Sequence, residues 1–347
     1  MNPAVLGLLK AEERDELRRF IAAEWRDDHA FVTFPPILDW QHLLADRQQY
    51  SFVIARIDGR LEGFLGFIPQ EQFDPDLAVY RQVFPCSWKI RDTAALTGLG
   101  MMLVMWMRQA LKPRFIAAIG LTPMVEPIYR AMGYQLGSMD HHVLFDPVRR
   151  DYRIAEHVPG DLPRPAPSNL TLVALDEATL MALPASVDAC FTGIVPAKSR
   201  RHLVHRYLRH PVYRYHLYGV AENGVIAGFL VLREAHAEGA SILRLVDLVG
   251  PDRLLAAPLL DLLRDSGAEY VDFYSHGVDP AALAAAGFLD RHATPGLTAP
   301  HYFEPYARAN QEIAYTWKQF GEAQGRVRLA RGDSDQDRPN LISGGTA

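Results

Sequence analysis

The sequence predicts a mixed α/β (α+β) chain of two similar domains, each a mainly antiparallel sheet with flanking helices. Three observations carry that expectation. Two hairpin signals, Asp58-Gly59 and Asn223-Gly224, each separate two apolar runs. Behind each hairpin the same order follows: strand, helix, strand, short helix, then a glycine–aromatic pair. Those pairs, Gly133-Tyr134 and Gly287-Phe288, stand 154 residues apart, about one domain length. An internal duplication accounts for all three; the alternative is two unrelated α+β domains with similar hairpins.

Taken in order, SFVIARI (51–57) and LEGFLGFI (61–68) are the first hairpin strands, and CSWKIRD (86–92) is the next strand. TAALTGLGMMLVMWM (93–107) opens a helix on two glycines, and Pro113 closes it. RFIAAIG (114–120) is a strand, followed by a short helix ending in YRAMGY (129–134). HVPGDLPRPAPSN (157–169) carries four prolines and no apolar periodicity, the composition of a linker. The second half repeats the series with YRYHLYGV (213–220), VIAGFLVL (225–232), SILRLVDLVG (241–250), a helix RLLAAPLLDLLRDSG (253–267), EYVDFYSHG (269–277) and a helix ending in LAAAGF (283–288). The expected boundaries are a first domain over 1–156, a second over 170–320 and a polar tail over 321–347, disordered in its last six residues.

A chain of 347 residues, 49% of them hydrophobic, can bury a large core. Its net charge of −5 argues against a nucleic-acid partner. The basic stretch KSRRHLVHRYLRH (198–210) reads as a solvated helical face, and the row Met101, Met102, Met105 and Met107 as core packing. The only cysteines, Cys86 and Cys190, lack disulfide or metal-ligand spacing. The first residues lack the layout of a signal peptide, and no apolar run reaches the ~18 residues of a membrane span. A cytoplasmic protein is the expectation.

A glycine pair at a strand-to-helix turn leaves backbone N–H groups free where the helix dipole favours an anion. Thr97, Gly98, Leu99, Gly100 and Met101 would line that turn. Neither a Walker loop nor a full dinucleotide fingerprint is present, so the pair reads either as a phosphate cradle or as a hinge. With its neighbours it resembles the GCN5-related N-acetyltransferase (GNAT) superfamily. The family pattern [Q/R]-x-x-G-x-[G/A] is met at 95–100 apart from Ala95, and Tyr-x-x-x-Gly-[Phe/Tyr] is met at Tyr129, Gly133 and Tyr134. The asparagine that usually ends the preceding strand is missing around GLTP (120–123). The resemblance implies coenzyme A on the glycine turn, its pantetheine arm on the splayed strand before it, and Tyr129 as proton donor to the leaving thiolate. In the second half VGPDRLLAAP has no such glycine pair, and Leu283 stands where the first half has Tyr129. One acyl-CoA site and a degenerate second domain are expected.

Acylation of an amine by a thioester needs a neutral nitrogen, hence a base, and a donor to the carbonyl oxygen. Backbone N–H groups around Ile90, Arg91 and Asp92 suit the donor role; His29, His276 and Asp247 are the open choices of base. The segments 25–42, 300–306 and 331–340 resemble two-domain GNAT proteins of bacterial surface-polysaccharide clusters. Those proteins acylate a nucleotide-linked amino sugar, such as a dTDP-3-amino-3,6-dideoxyhexose, from a short acyl-CoA (acetyl or 3-hydroxybutyryl). A dTDP- or UDP-linked acceptor would find matching groups in Arg244, Asp272, Tyr274, His301, Tyr302 and Glu304, with Asp335 and Arg338 on a tail that folds over a site. Arg244 and Asp247 would face opposite sides of their strand unless a bulge intervenes. Other small amines, or acyl-CoA binding without catalysis, are the competing functions. No metal is expected.

Overall fold

The computed structural model describes residues 3–94 and 96–342. The chain runs β1 (Val5–Lys10), α1 (Arg14–Glu24), α2 (Ala30–Thr33), α3 (Pro35–His42), β2 (Gln49–Ile57), β3 (Arg60–Pro69), β4 (Gln82–Ile90), α4 (Leu99–Leu111), β5 (Phe115–Ile119), α5 (Glu126–Ala131), β6 (Gln135–Ser138) and β7 (Asp140–Phe145). It continues through β8 (Leu170–Leu175), α6 (Glu177–Met181), β9 (Ile194–Val195), α7 (Arg200–Leu203), β10 (His216–Glu222), β11 (Val225–Ala237), β12 (Ala240–Val249), α8 (Leu259–Ser266), β13 (Tyr270–His276) and α9 (Pro280–Ala285). Short strands follow: β14 (Leu289–Asp290), β15 (Tyr302–Phe303), β16 (Tyr306–Ala307), β17 (Ala314–Gln319), β18 (Arg326–Val327) and β19 (Leu329–Ala330).

Two mixed sheets form. The first has the order β1-β2-β3-β4-β5-β17-β6, the second β14-β7-β13-β12-β11-β10-β8 with β19 also on β13. Read from its β8 edge, the second sheet repeats the first. An antiparallel series ends in one parallel pair, β4 with β5 and β12 with β13, and then a strand from elsewhere in the chain. Both hairpin turns use positive φ at both central positions, 52° and 79° at Asp58-Gly59, and 52° and 80° at Asn223-Gly224. Each twist suits the strands it joins.

The compact units are not contiguous in sequence. Unit 1 takes residues up to Gly137, Tyr315–Ala323 and the chain from Ser334 onward; unit 2 takes Ser138–Ala314 and Gln324–Asp333. Thus β7, expected in the first domain, completes the second sheet, and β17 completes the first. The proline-rich 157–169 lies inside unit 2. Strand exchange leaves no composition signal, because an exchanged strand reads like any other.

In unit 1, α4 buries Leu99, Leu103, Val104 and Met107 against Val53, Leu65, Phe67 and Ile116 of the sheet. The i, i+4, i+5 and i+8 spacing makes one apolar face. Of the methionine row only Met107 is fully buried, and Met105 is 49% exposed, so the row packs the core in part. The second long helix is interrupted: a 3-10 turn at Asp252–Ala256 precedes Pro258, and α8 begins after it. The basic stretch is not a solvated face either. After α7 a π turn over Val204–Leu208 brings Arg206 and Tyr207 inward, 2% and 1% exposed.

Candidate functional site

In unit 1, β4 and β5 pair only at Gln82–Phe115 and Val83–Ile116, although β4 runs on to Ile90 and β5 to Ile119. A wedge-shaped gap opens between them. On its other edge β4 pairs with β3, with a bulge where Gly66 faces Cys86 and Leu65 faces Trp88, leaving Ser87 as the extra residue. Arg91 N–H donates to Glu62 O at 2.8 Å. Hydrogen bonding alternates along such a pair, so Ile90 and Trp88 turn N–H and C=O toward the gap. Arg91 therefore loses the donor role expected of it, its N–H being spent on β3. Asp92 is exposed and paired with Lys89 at 3.0 Å, at the rim of the gap. Trp88 was missed, because the bulge that sets the alternation is invisible in sequence.

The gap leads to the start of α4. Gly98 is its N-cap, at φ +83° and with no side-chain cap. The first helical bond there runs from Met102 N–H to Gly98 O, 3.1 Å. The N–H groups of Leu99, Gly100 and Met101 precede it and have no intrahelical acceptor. A Cβ on Gly98 would meet nothing within 4 Å, whereas one on Gly100 would come within 2.7 Å of the Trp88 indole. The two glycines thus serve differently: Gly98 permits the turn and leaves open space above it, and Gly100 admits Trp88. Thr97 is exposed beside them; Ala95 lies outside the described residues.

Tyr129 of α5 is 2% exposed and meets Tyr134 edge-on at 5.1 Å between ring centroids. Burial, then Tyr134 and the Cys86 thiol, hold its hydroxyl well above the usual tyrosine pKa. It stays protonated at any working pH.

The base candidates fare differently. His29 caps α2: its Nδ1 accepts from Phe31 N–H at 3.1 Å. A neutral ring that accepts at Nδ1 carries its proton on Nε2, and Nε2 has no partner among the described residues. It can donate but not abstract, and that corrects the expectation. Burial, with Arg338 and Arg26, lowers its pKa to about 3. The unfolded state binds this proton below about 6.5, so stability is lost as pH falls from 6.5 toward 3. His29→Asn keeps an N-cap acceptor and removes the titration. Its unit 1 should lose less stability between pH 6.5 and 4 than the parent does, measured by urea unfolding at each pH. An unchanged acid limb would refute the assignment.

Asp247 and His276 belong to unit 2, where the corresponding gap is filled. There β12 and β13 pair only at Leu243–Leu245 with Val271–Phe273. Beyond that point β19 pairs with Ser275 and His276 of β13. Gly332 N–H donates to Val246 O at 2.7 Å, and Arg328 reaches Leu248 O and Gly250 O, both at 2.7 Å. Arg206 donates to Gly332 O at 3.1 Å. Asp247 has one oxygen on Lys198 at 2.6 Å and the other on the Tyr207 hydroxyl at 2.7 Å. Lys198 also meets Asp333 at 2.9 Å. Asp247 is a structural counter-ion, not a base.

The residues expected to hold an acceptor are likewise internal to unit 2. Arg244 pairs with Asp272 at 3.2 Å and donates to His301 O at 2.8 Å. The Tyr274 hydroxyl meets His301 Nδ1 at 3.2 Å, and its ring stacks on His141 at 4.0 Å. All four are at most 1% exposed, a closed network with no open face. The bulge on β12 at Val246 does intervene between Arg244 and Asp247. Glu304 accepts from Tyr213 OH at 2.7 Å, and Tyr302 is half-buried in β15. The expected tail is ordered through its polar part: Ser334, Asp335 and Asp337 are buried in unit 1, while 343–347 lie outside the described residues.

No family model and no curated protein matches this sequence. Solved structures do. A GCN5-related N-acetyltransferase from Anabaena variabilis ATCC 29413 matches with TM-score 0.57 at 12% identity, over 91% of this chain and 73% of that one. The chain has the GNAT fold. A putative acetyltransferase from Pyrococcus horikoshii matches with TM-score 0.51 at 10% identity, over 100% and 97%. A probable N-acyltransferase from Enterococcus faecalis V583 gives 0.53 at 12%, over 90% and 72%. Among the described residues no group of three or more His, Cys, Asp or Glu side chains is placed to hold a metal ion, and no helix is long and apolar enough to cross a membrane.

Proposed function

We propose that unit 1 is an acyl-CoA-dependent N-acyltransferase, moving a short acyl group (acetyl or 3-hydroxybutyryl-like) from coenzyme A to an amine. The observation that carries this reading is the continuity of the gap with the uncapped turn of α4. The N–H groups of Leu99, Gly100 and Met101 would receive the pyrophosphate, helped by the helix dipole. Trp88 and Ile90 would pair with the pantetheine amides, and a donor on the same edge would hold the thioester oxygen. Tyr129 would supply the proton that the leaving thiolate takes, and the attacking amine would release its own proton to solvent water as the amide bond forms and the carbon–sulfur bond breaks. Acyl-CoA itself would supply only the activated thioester.

Unit 2 offers no second gap, so one acyl-CoA per chain is expected. A nucleotide-linked amino sugar as acceptor rests on the resemblance of 25–42, 300–306 and 331–340, and it heads the acceptors to screen; other small amines come next. Titration calorimetry with coenzyme A, acetyl-CoA and 3-hydroxybutyryl-CoA should give one site. Gly98→Glu puts a carboxylate at the turn and a side chain at φ +83°, and it should weaken binding at least about tenfold. Absence of binding by any thioester would refute the transferase, and binding without turnover on any amine would favour a silent acyl-CoA binder.

A further inference from the structure

We propose that the Ser87 hydroxyl is the donor that holds the thioester oxygen, an inference that rests on the transferase reading above and names the group it leaves open. The phase of the β3–β4 ladder decides which backbone groups of β4 reach the gap. Arg91 N–H donates to Glu62 O, so Glu62, Phe64, Gly66 and Ile68 of β3 turn their backbone to β4. Their partners on β4 are Arg91, Lys89, the bulge at Cys86 and Ser87, and Phe84. Ile90, Trp88, Pro85 and Val83 turn the other way, and Val83 stands at the last pair with β5. Beyond that pair the gap-facing positions of β4 are therefore Pro85, Trp88 and Ile90. Pro85 has no N–H to give. With Trp88 and Ile90 engaged by the pantetheine arm, a thioester lying deeper finds no backbone donor on this edge. Ser87 is the hydroxyl that stands there.

The side chain is buried and unused. Ser87 is 8% exposed, and its Oγ has no hydrogen-bond partner among the described residues. The adjacent Cys86 thiol is only a weak acceptor for it. Buried hydroxyls without a partner are rare. The Ser87 Cβ lies 3.4 Å from the place a Cβ on Gly66 would take, and a Phe52 ring atom comes within 2.8 Å of the same place. Ser87 thus stands on the Phe52 face of the sheet, opposite the Trp88 indole at Gly100. The second half of the chain supplies the control. Its strand β12 has the same bulge against β11, at Val246, which is 0% exposed. There Gly332 N–H takes Val246 O, and the gap is filled. The bulge itself needs no hydroxyl, and a serine stands at it in the half whose gap is open.

Acetyl-CoA and S-ethyl-CoA, a thioether without the carbonyl oxygen, read this contact with no acceptor present. In calorimetric titration the full chain should bind acetyl-CoA about fivefold more tightly than S-ethyl-CoA, the worth of one hydrogen bond. Ser87→Ala and Ser87→Val should bring the ratio near unity through acetyl-CoA alone, with the affinity for S-ethyl-CoA unchanged. Ser87→Thr should restore it. Infrared difference spectra of acetyl-CoA carrying ¹³C at the carbonyl give a second readout. The stretch should fall in frequency on binding to the parent and to the Thr variant, and stay near its free value in the Ala and Val variants. A packing role would weaken both ligands together and leave the bound frequency alone. A ratio and a bound frequency that Ser87→Ala leaves as in the parent overturn the proposal while the transferase stands. A parent that binds neither ligand removes the transferase, and this inference with it.

Discussion

Replacing Lys198 with methionine is expected to cost unit 2 about 3–5 kcal/mol, the loss typical of removing one partner from a buried ion pair. Lys198 lies between Asp247 and Asp333, whose side chains are 0% and 3% exposed. Burial opposes its charge, yet the two carboxylates outweigh that and hold its pKa above the ordinary lysine value. Burial, against the pull of Lys198, lifts Asp333. With the ammonium gone, two carboxylates would face each other without a counter-charge. The segment that ends at Asp333 carries Arg328, Leu329 and Gly332 into the gap between β12 and β13. Hydrogen exchange should therefore lose protection first over Arg326–Asp333. Lys198→Met combined with Asp247→Asn and Asp333→Asn should recover part of the loss, because no buried charge is left unpaired. A single variant within about 1 kcal/mol of the parent in thermal or urea unfolding would show that the cluster is not what closes the gap.

The two halves of the sequence announced their repetition through local chemistry. Turn dipeptides with positive φ, a strand before a glycine turn and a helix with one apolar face are all short-range features, and each formed where expected. What stayed hidden depends on contacts distant in sequence. Nothing in DHHVLF (140–145) or AYTWKQ (314–319) says which sheet it completes, because both have ordinary strand composition. The role of Asp247 was equally hidden: a carboxylate in an apolar strand could be a base or a counter-ion, and Lys198, 49 residues away in sequence, decides between them. Arg244, Asp272, Tyr274 and His301 were read from the sequence as groups for an acceptor, and polar groups so deeply buried need partners. They find them in one another, not in a ligand. Asp335 and Arg338 looked like tail residues by composition, and only tertiary packing buries them.

Tyr129→Phe should lower kcat by roughly 10²–10⁴-fold while leaving the KM for acyl-CoA nearly unchanged, the range for loss of a general acid. The substitution is clean. The ring is 2% exposed and keeps its packing against Tyr134, and no hydrogen bond ties the hydroxyl to another described residue. Stability should therefore change little. Since burial holds the hydroxyl pKa well above 10, titration of Tyr129 should not appear in the parent's rate profile below pH 10. A merely structural role would slow every donor alike. An acid role would not: an aryl thioester releases a thiolate that needs no proton, so on that donor the Phe variant should recover most of the parent rate. Equal losses on acetyl-CoA and on the aryl thioester would remove Tyr129 from the chemistry and leave it as packing for α5. Recovery on the aryl donor alone would place its proton on the leaving sulfur.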